Sequence, residues 1–362
     1  MKKILLDDML LTKELPTSAG SKMLDGYKSP FDSAVFEKLT AKGYEIAGKA
    51  PVGEFGIDLV GETNYNGSKA YQLGDADAMV SFDVNGAPRR VAAQNDIVFI
   101  KPTYGIVSRY GTVAIACSGE CVGVMAKSAK ECADVLGALV GKDERDGTMQ
   151  STEVCESAVA AKKEIKKVAL VKMGVDCDKL SAAAKAFSAG GIEVTEIDAG
   201  VIESANAAWN ILMCAELCNN VSRFDGIKYG YRTPNYKNLD ELYTNSRTEA
   251  FGDLAKTAIL YGSDVLSTKN YMAKYDKAMR VRRVIVEALA KIFEEYDAVL
   301  MPVCSKAEYT DADDVFVENK YTAPASISGL PAVVAGGVQL MGAAFTDGAL
   351  LELADILAKE GK

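Results

Sequence analysis

The chain has no histidine among its 362 residues, and this absence narrows its possible chemistry sharply. Ser-His-Asp and Cys-His mechanisms are excluded, which leaves lysine-assisted, carboxylate or cofactor chemistry. The candidates concentrate in two stretches. Lys49 follows the strand-like run Tyr44–Gly48, and the polar stretch Thr63-Asn64-Tyr65-Asn66-Gly67-Ser68 comes after it. The run Ser81-Phe82-Asp83-Val84-Asn85-Gly86-Ala87-Pro88-Arg89 then brings a carboxylate, a turn and a guanidinium close together. A lysine becomes a useful base only with a hydroxyl or thiol within hydrogen-bond reach. Thr63, Ser68 and Ser81 are the hydroxyls that could serve; read alone, a lysine at a strand end is a solvated charge.

The eight cysteines fall at 117, 121, 132, 155, 177, 214, 218 and 304, without the spacing of a small disulfide-stapled scaffold. Cys117/Cys121 flank a Ser-Gly-Glu turn, and Cys214/Cys218 share a helix face. Neither pair has the CxxC spacing of a zinc ligand set, and without histidine the expectation is buried thiols, with no metal and no cofactor.

These residues need a scaffold. A length of 362 residues suits one large domain or two ordinary ones, and no low-complexity linker, repeat or composition break divides the chain. One domain over 1–362 is expected. A net charge of −9 disfavours direct contact with nucleic acid, which needs clustered Lys and Arg. No apolar run approaches a membrane span of about 20 residues. The opening Met1-Lys2-Lys3-Ile4-Leu5-Leu6-Asp7-Asp8 turns acidic too early for a signal peptide, so a cytoplasmic protein is expected.

Periodicity predicts helices over Pro30–Leu39, Ser128–Val140, Leu180–Phe187, Ala205–Val221, Leu239–Leu254, Tyr271–Glu295 and Gly348–Ala358. Strands are expected at Tyr44–Gly48, Lys167–Lys172, Ile192–Ile197 and Ala298–Pro302. The strand–helix–strand unit over 167–197 favours a parallel pairing, and the alternation as a whole predicts an α/β layer architecture.

The second run leads without a gap to Lys101-Pro102-Thr103-Tyr104-Gly105-Ile106-Val107-Ser108-Arg109-Tyr110-Gly111. This string resembles the KPTYGRVSRYG segment of the amidase-signature family, most closely its glutamyl-tRNA(Gln) amidotransferase A subunits. Ordered matches extend along most of the chain. Thr17–Leu24 resembles TTAGSKIL, Gly48–Phe55 resembles GKTNMDEF, and Arg145–Thr148 resembles RDST. Ser222–Arg232 is nearly SRYDGVRYGYR, and Arg247–Gly252 and Lys277–Arg282 resemble RSEGFG and KAQKVR.

The resemblance implies a mixed, twisted sheet with helices on both faces. It makes Lys49 the family base and places Thr63 near the hydroxyl that relays the proton. Asn85 and Gly86 fall on the oxyanion turn, Asp83 and Arg89 on its supporting pair, and Ala87 on the nucleophilic serine. Tyr231, Arg282 and Asp347 lie at or beside positions that hold the glutamine substrate. By the same resemblance the partners are amidotransferase B and C subunits, or an active A subunit, with glutamine or another small amide as ligand. Three departures stand out. Alanine replaces the nucleophile, the segment between Lys49 and Asp83 lacks the GGSSGG loop, and the family's helical segment before the first strand is expected to be absent. Three outcomes are expected from this pattern: a chain that keeps the scaffold without amidase activity, an active amidase with a relocated hydroxyl, or a non-catalytic structural or regulatory partner of an amidotransferase complex.

Overall fold

The computed structural model describes residues 2–160, 163–175, 177–306 and 310–360. Among them, ten strands join in one sheet: β1 (Lys3–Asp7), β2 (Glu45–Ala50), β3 (Ala78–Asp83), β4 (Val98–Lys101), β5 (Cys121–Ala126), β6 (Lys167–Leu170), β7 (Glu193–Glu196), β8 (Ala298–Met301), β9 (Ala332–Ala335) and β10 (Val338–Gly342). Their spatial order is β2-β1-β3-β5-β4-β9-β10-β8-β6-β7. Parallel pairs form at both ends (β2–β1–β3 and β8–β6–β7), and antiparallel pairs link them through the middle. The sheet is therefore mixed, as expected. β3, β5, β8, β9 and β10 are buried at every position, which explains their apolar runs without alternation.

Twelve helices among the described residues cover the sheet: α1 (Ala34–Ala41), α2 (Ala87–Gln94), α3 (Ala129–Leu139), α4 (Thr152–Ala160), α5 (Asp178–Ala189), α6 (Ala205–Asn220), α7 (Leu239–Ala250), α8 (Asp253–Leu266), α9 (Lys277–Glu295), α10 (Val315–Glu318), α11 (Ala323–Ser328) and α12 (Asp347–Glu360). No described helix is long and apolar enough to cross a membrane. The unit β6–α5–β7 is parallel, as its spacing predicts. Ser128 caps α3 as expected, accepting from Glu131 N at 3.2 Å while its hydroxyl bonds the Glu131 carboxylate.

Some boundaries move for local reasons. The first helix starts at Ala34 rather than Pro30, because Ser33 caps it by accepting from Phe36 N at 3.3 Å. The helix expected over Leu239–Leu254 is two helices. Phe251 is extended (ψ 138°), its ring packs 5.9 Å from that of Phe55, and Gly252 N donates to Glu54 Oε2 at 2.9 Å. A buried carboxyl thus takes an N–H that a continuous helix would need. Residues 272–276 of the next expected helix form a π turn ahead of α9. Gly262 lets α8 cross α6 closely, since a Cβ there would lie 2.1 Å from Cys214 O.

The described cysteines are all free thiols, with Cys121, Cys132, Cys155 and Cys214 buried and Cys117, Cys177, Cys218 and Cys304 partly exposed. Burial pushes the Cys214 thiol up to about 12, which makes it inert as a nucleophile.

Candidate functional site

Parallel pairing places three polar side chains along one edge of the sheet. Lys49 on β2 is in register with Leu6 on β1, and Leu6 with Val80 on β3, so Lys49, Asp7 and Asp83 occupy the C-terminal ends of three neighbouring strands. At about 4.8 Å per strand, the backbones of β2 and β3 lie roughly 10 Å apart.

Lys49 finds its partners elsewhere. Its ammonium bonds the Thr17 hydroxyl and lies 3.6 Å from Asp8 Oδ1. Asp8 also accepts from Ser18, through the hydroxyl and through the backbone N–H at 2.8 Å. Burial lowers the Lys49 pKa, against the opposing pull of Asp8 and Asp7. Burial likewise raises Asp7 to about 7, although its carboxyl accepts from the backbone of Phe82 and Met9. The cluster opens into a cleft of about 230 Å³ lined by Asp8, Ser18, Asp25, Lys49, Tyr65 and Ser68, among others. Thr17 and Ser18 belong to a recognised segment, but no spacing points to them as partners of Lys49. Only the β1–β2 pairing brings them there.

The turn after β3 is tightly built. Arg89 is fully buried and forms a bidentate pair with Asp83, at 2.7 Å from Nε and 3.2 Å from an η nitrogen. Its remaining donors reach Thr322 O, Gln339 Oε1 and Ser326 Oγ at 2.8–2.9 Å, so the guanidinium is saturated by protein. Gly86 N donates to Asp83 Oδ1 at 2.9 Å. Gly86 has φ +89° and a Cβ there would lie 2.5 Å from Thr322, so only glycine fits. The Asn85 side chain donates to Ile57 O at 2.9 Å and accepts from Trp209 and Asn319. Ala87 opens α2 with no exposed surface.

The other expected residues are distributed as follows. The Thr63 hydroxyl donates to Asp58 Oδ2 at 2.7 Å and accepts from Glu54 N at 2.9 Å, so both its roles are filled away from Lys49. Ser81 is buried, and its hydroxyl has no partner among the described residues. Tyr231 donates to Glu249 at 2.6 Å and lies under the Lys22 ammonium. Arg282 donates to Ser118 O at 2.8 Å, with Glu216, Tyr104 and Tyr275 as its electrostatic neighbours. Asp347 is buried at the start of α12, accepting from Thr103 N and Oγ1 at 2.7 and 2.6 Å. Burial raises its pKa to about 6. The three substrate-side candidates thus have separate partners, with Arg282 and Asp347 flanking the Thr103–Tyr104 pair.

Tyr71 carries no signal in the sequence, yet it sits beside the candidate groups. It is buried in the left-handed region (φ 52°), a costly conformation for a bulky side chain. Its hydroxyl has no partner among the described residues, and Asp58, Asp7 and Asp83 are its electrostatic neighbours. The segment after Lys49 therefore sets a phenol over the ends of β1 and β3.

As arranged, the edge offers a half-buried lysine of lowered pKa, bonded on one side to the Thr17 hydroxyl and paired with Asp8. On the other it offers a rigid turn with a methyl group at position 87.

Comparison with known proteins matches this framework. The family model described as Amidase covers residues 4–69 and 80–351. The A subunit of the glutamyl-tRNA(Gln) amidotransferase of Latilactobacillus sakei is 35% identical over 385 aligned residues, spanning 94% of this chain and 79% of the relative. That of Clostridium botulinum is 32% identical, spanning 91% and 75%. Among solved structures, the corresponding protein from Thermotoga maritima superposes with a TM-score of 0.76 at 24% identity, covering 98% of this chain and 82% of the other. The peptide amidase of Stenotrophomonas maltophilia gives 0.76 at 21%, covering 99% and 82%. These structural likenesses establish the fold, and the extent and identity of the sequence matches establish descent: the chain belongs to the amidase family.

Proposed function

We propose that this protein is a non-catalytic relative of the glutamine-hydrolysing A subunits, working in the cytoplasm as a structural or regulatory partner of an amidotransferase complex. The carrying observation is Ala87, a methyl group where the resemblance puts the nucleophile, on a turn whose polar groups are bound within the scaffold. Acyl transfer needs an attacking atom beside its base. Here the base position, Lys49, is bonded to Thr17 and paired with Asp8 instead. The partners that fit this reading are amidotransferase B and C subunits or an active A subunit, and the A-subunit relatives support it. Two measurements test it. Purified protein should release no ammonia from glutamine above a Lys49→Ala control, and it should co-purify with B and C subunits or an active A subunit when co-expressed. Lys49-dependent glutamine hydrolysis at an ordinary enzymatic rate defeats the first half, and failure to bind any of these subunits defeats the second.

A second reading is an amidase with a relocated hydroxyl. It is favoured by the contact of the Thr17 hydroxyl with a half-buried lysine of lowered pKa, beside a cleft. Against it, Thr17 has no exposed surface. A fluorophosphonate probe should label Thr17, Ser18 or Ser68 if this reading holds, and should label nothing otherwise.

A further inference from the structure

We infer that the turn over residues 58–62 is a carboxylate-binding site, which the strap 310–314 fills in cis with Asp311. One oxygen of Asp311 accepts from Leu59 N at 2.6 Å and Val60 N at 3.1 Å, and the other from Glu62 N at 2.5 Å. Glu62 returns the contact, accepting from Asp311 N at 2.8 Å. Three backbone N–H groups of one turn converging on a single anion form a nest, whose partial positive charge is built from peptide dipoles. The occupant comes from about 250 residues away in sequence, so the nest is not a by-product of local turn geometry.

A second feature points the same way. Asp58 is wholly buried behind the nest, and one of its carboxyl oxygens has no hydrogen-bond partner among the described residues. Its other oxygen accepts from Thr63. Burial and the charge of Asp311 push the Asp58 carboxyl well above the usual carboxylate range. Next to the nest lies a cavity of about 340 Å³, lined by Val60, Gly61, Glu62, Lys69, Gln72 and Gln94, among others. It has the volume and polarity for the body of a small organic acid whose carboxylate replaces that of Asp311.

The strap also bears on the rest of the molecule. It runs directly into α10, Asn319 and Thr322, and the last two bond Asn85 and Arg90 beside Ala87. The nest requires nothing of the amidase chemistry, and works the same whether or not the protein hydrolyses glutamine.

Hydrogen exchange on the full chain tests it, with sodium acetate as the probe and sodium chloride at matched ionic strength as the control. In Asp311→Ala, amides within 57–66 should exchange roughly ten-fold faster or more than in the unaltered protein, because a charge-assisted contact to three N–H groups is lost. Acetate should restore their protection saturably in the millimolar range, and chloride should not. The unaltered protein should show no acetate response, because the tethered carboxylate has the higher effective concentration. Asp311→Asn, which keeps the shape and loses the charge, should show intermediate protection. No saturable acetate effect in Asp311→Ala, an equal effect of chloride, or full protection in Asp311→Asn would overturn the inference. So would global unfolding of Asp311→Ala, which would make Asp311 a structural staple.

Discussion

Residue by residue, the positions that the family resemblance assigns to chemistry are built into the scaffold. Arg89 is the clearest case: a buried guanidinium with five protein acceptors, two of them on Asp83. Removing one member of a buried pair strands the other charge. Arg89→Ala should therefore lower unfolding stability by about 3–5 kcal/mol in urea titrations. Arg89→Lys should fail to restore it, since a point charge cannot reproduce the fork. Ala87→Ser alone should give no ammonia from glutamine in a coupled assay. The added hydroxyl would find neither Lys49, engaged by Thr17 and Asp8, nor Thr63, engaged by Asp58 and Glu54. Glutamine hydrolysis by that single variant would mean that the Lys49 network rearranges on demand.

Among the elements, the segment between β2 and β3 matters most. It brings Tyr71 over the strand ends and the 58–62 turn under Asp311. The turn into α2 is equally constrained. Gly86→Ala would place a methyl 2.5 Å from Thr322 at φ +89°. That substitution should destabilise by more than about 2 kcal/mol, read as a lower urea midpoint. Loss of the cap on α3 is a smaller and separable effect. Ser128→Ala should cost about 1 kcal/mol, with an unchanged m-value. That cap is legible in the sequence because it is local: a serine followed three residues later by glutamate. The break between α7 and α8 is not, because its cause is Glu54, 198 residues away.

For the molecule as a whole, buried acids should make stability depend on pH in an unusual direction. Burial holds Asp7 and Glu54 protonated up to about 7 and Asp347 up to about 6 in the folded state. Unfolded, the same groups ionise near about pH 4. Between these limits the folded state binds more protons, so the contribution of these groups is fully present below about pH 4. It is lost as pH rises towards 6–7, by about 1.4 kcal/mol per pH unit for each group in its window. Urea midpoints should therefore be higher at about pH 5 than at about pH 8, and Asp7→Asn should flatten the difference. A midpoint that rises over that range would show that these carboxyls ionise normally. The sheet that buries them carries the parallel β2–β1–β3 edge at one end and the parallel β8–β6–β7 edge at the other, joined by antiparallel strands.

Local pattern and residue identity suffice for the family, the α/β layering, the capped and periodic helices, and the methyl group at position 87. Which groups meet depends on the fold. Lys49 contacts Thr17 and Asp8 because strand register brings β1 and its following loop beside β2. Asp311 reaches Leu59, Val60 and Glu62 across about 250 residues for a related reason. Such pairings rest on chain closure and on the desolvation of specific polar groups, and neither leaves a periodic trace in the sequence.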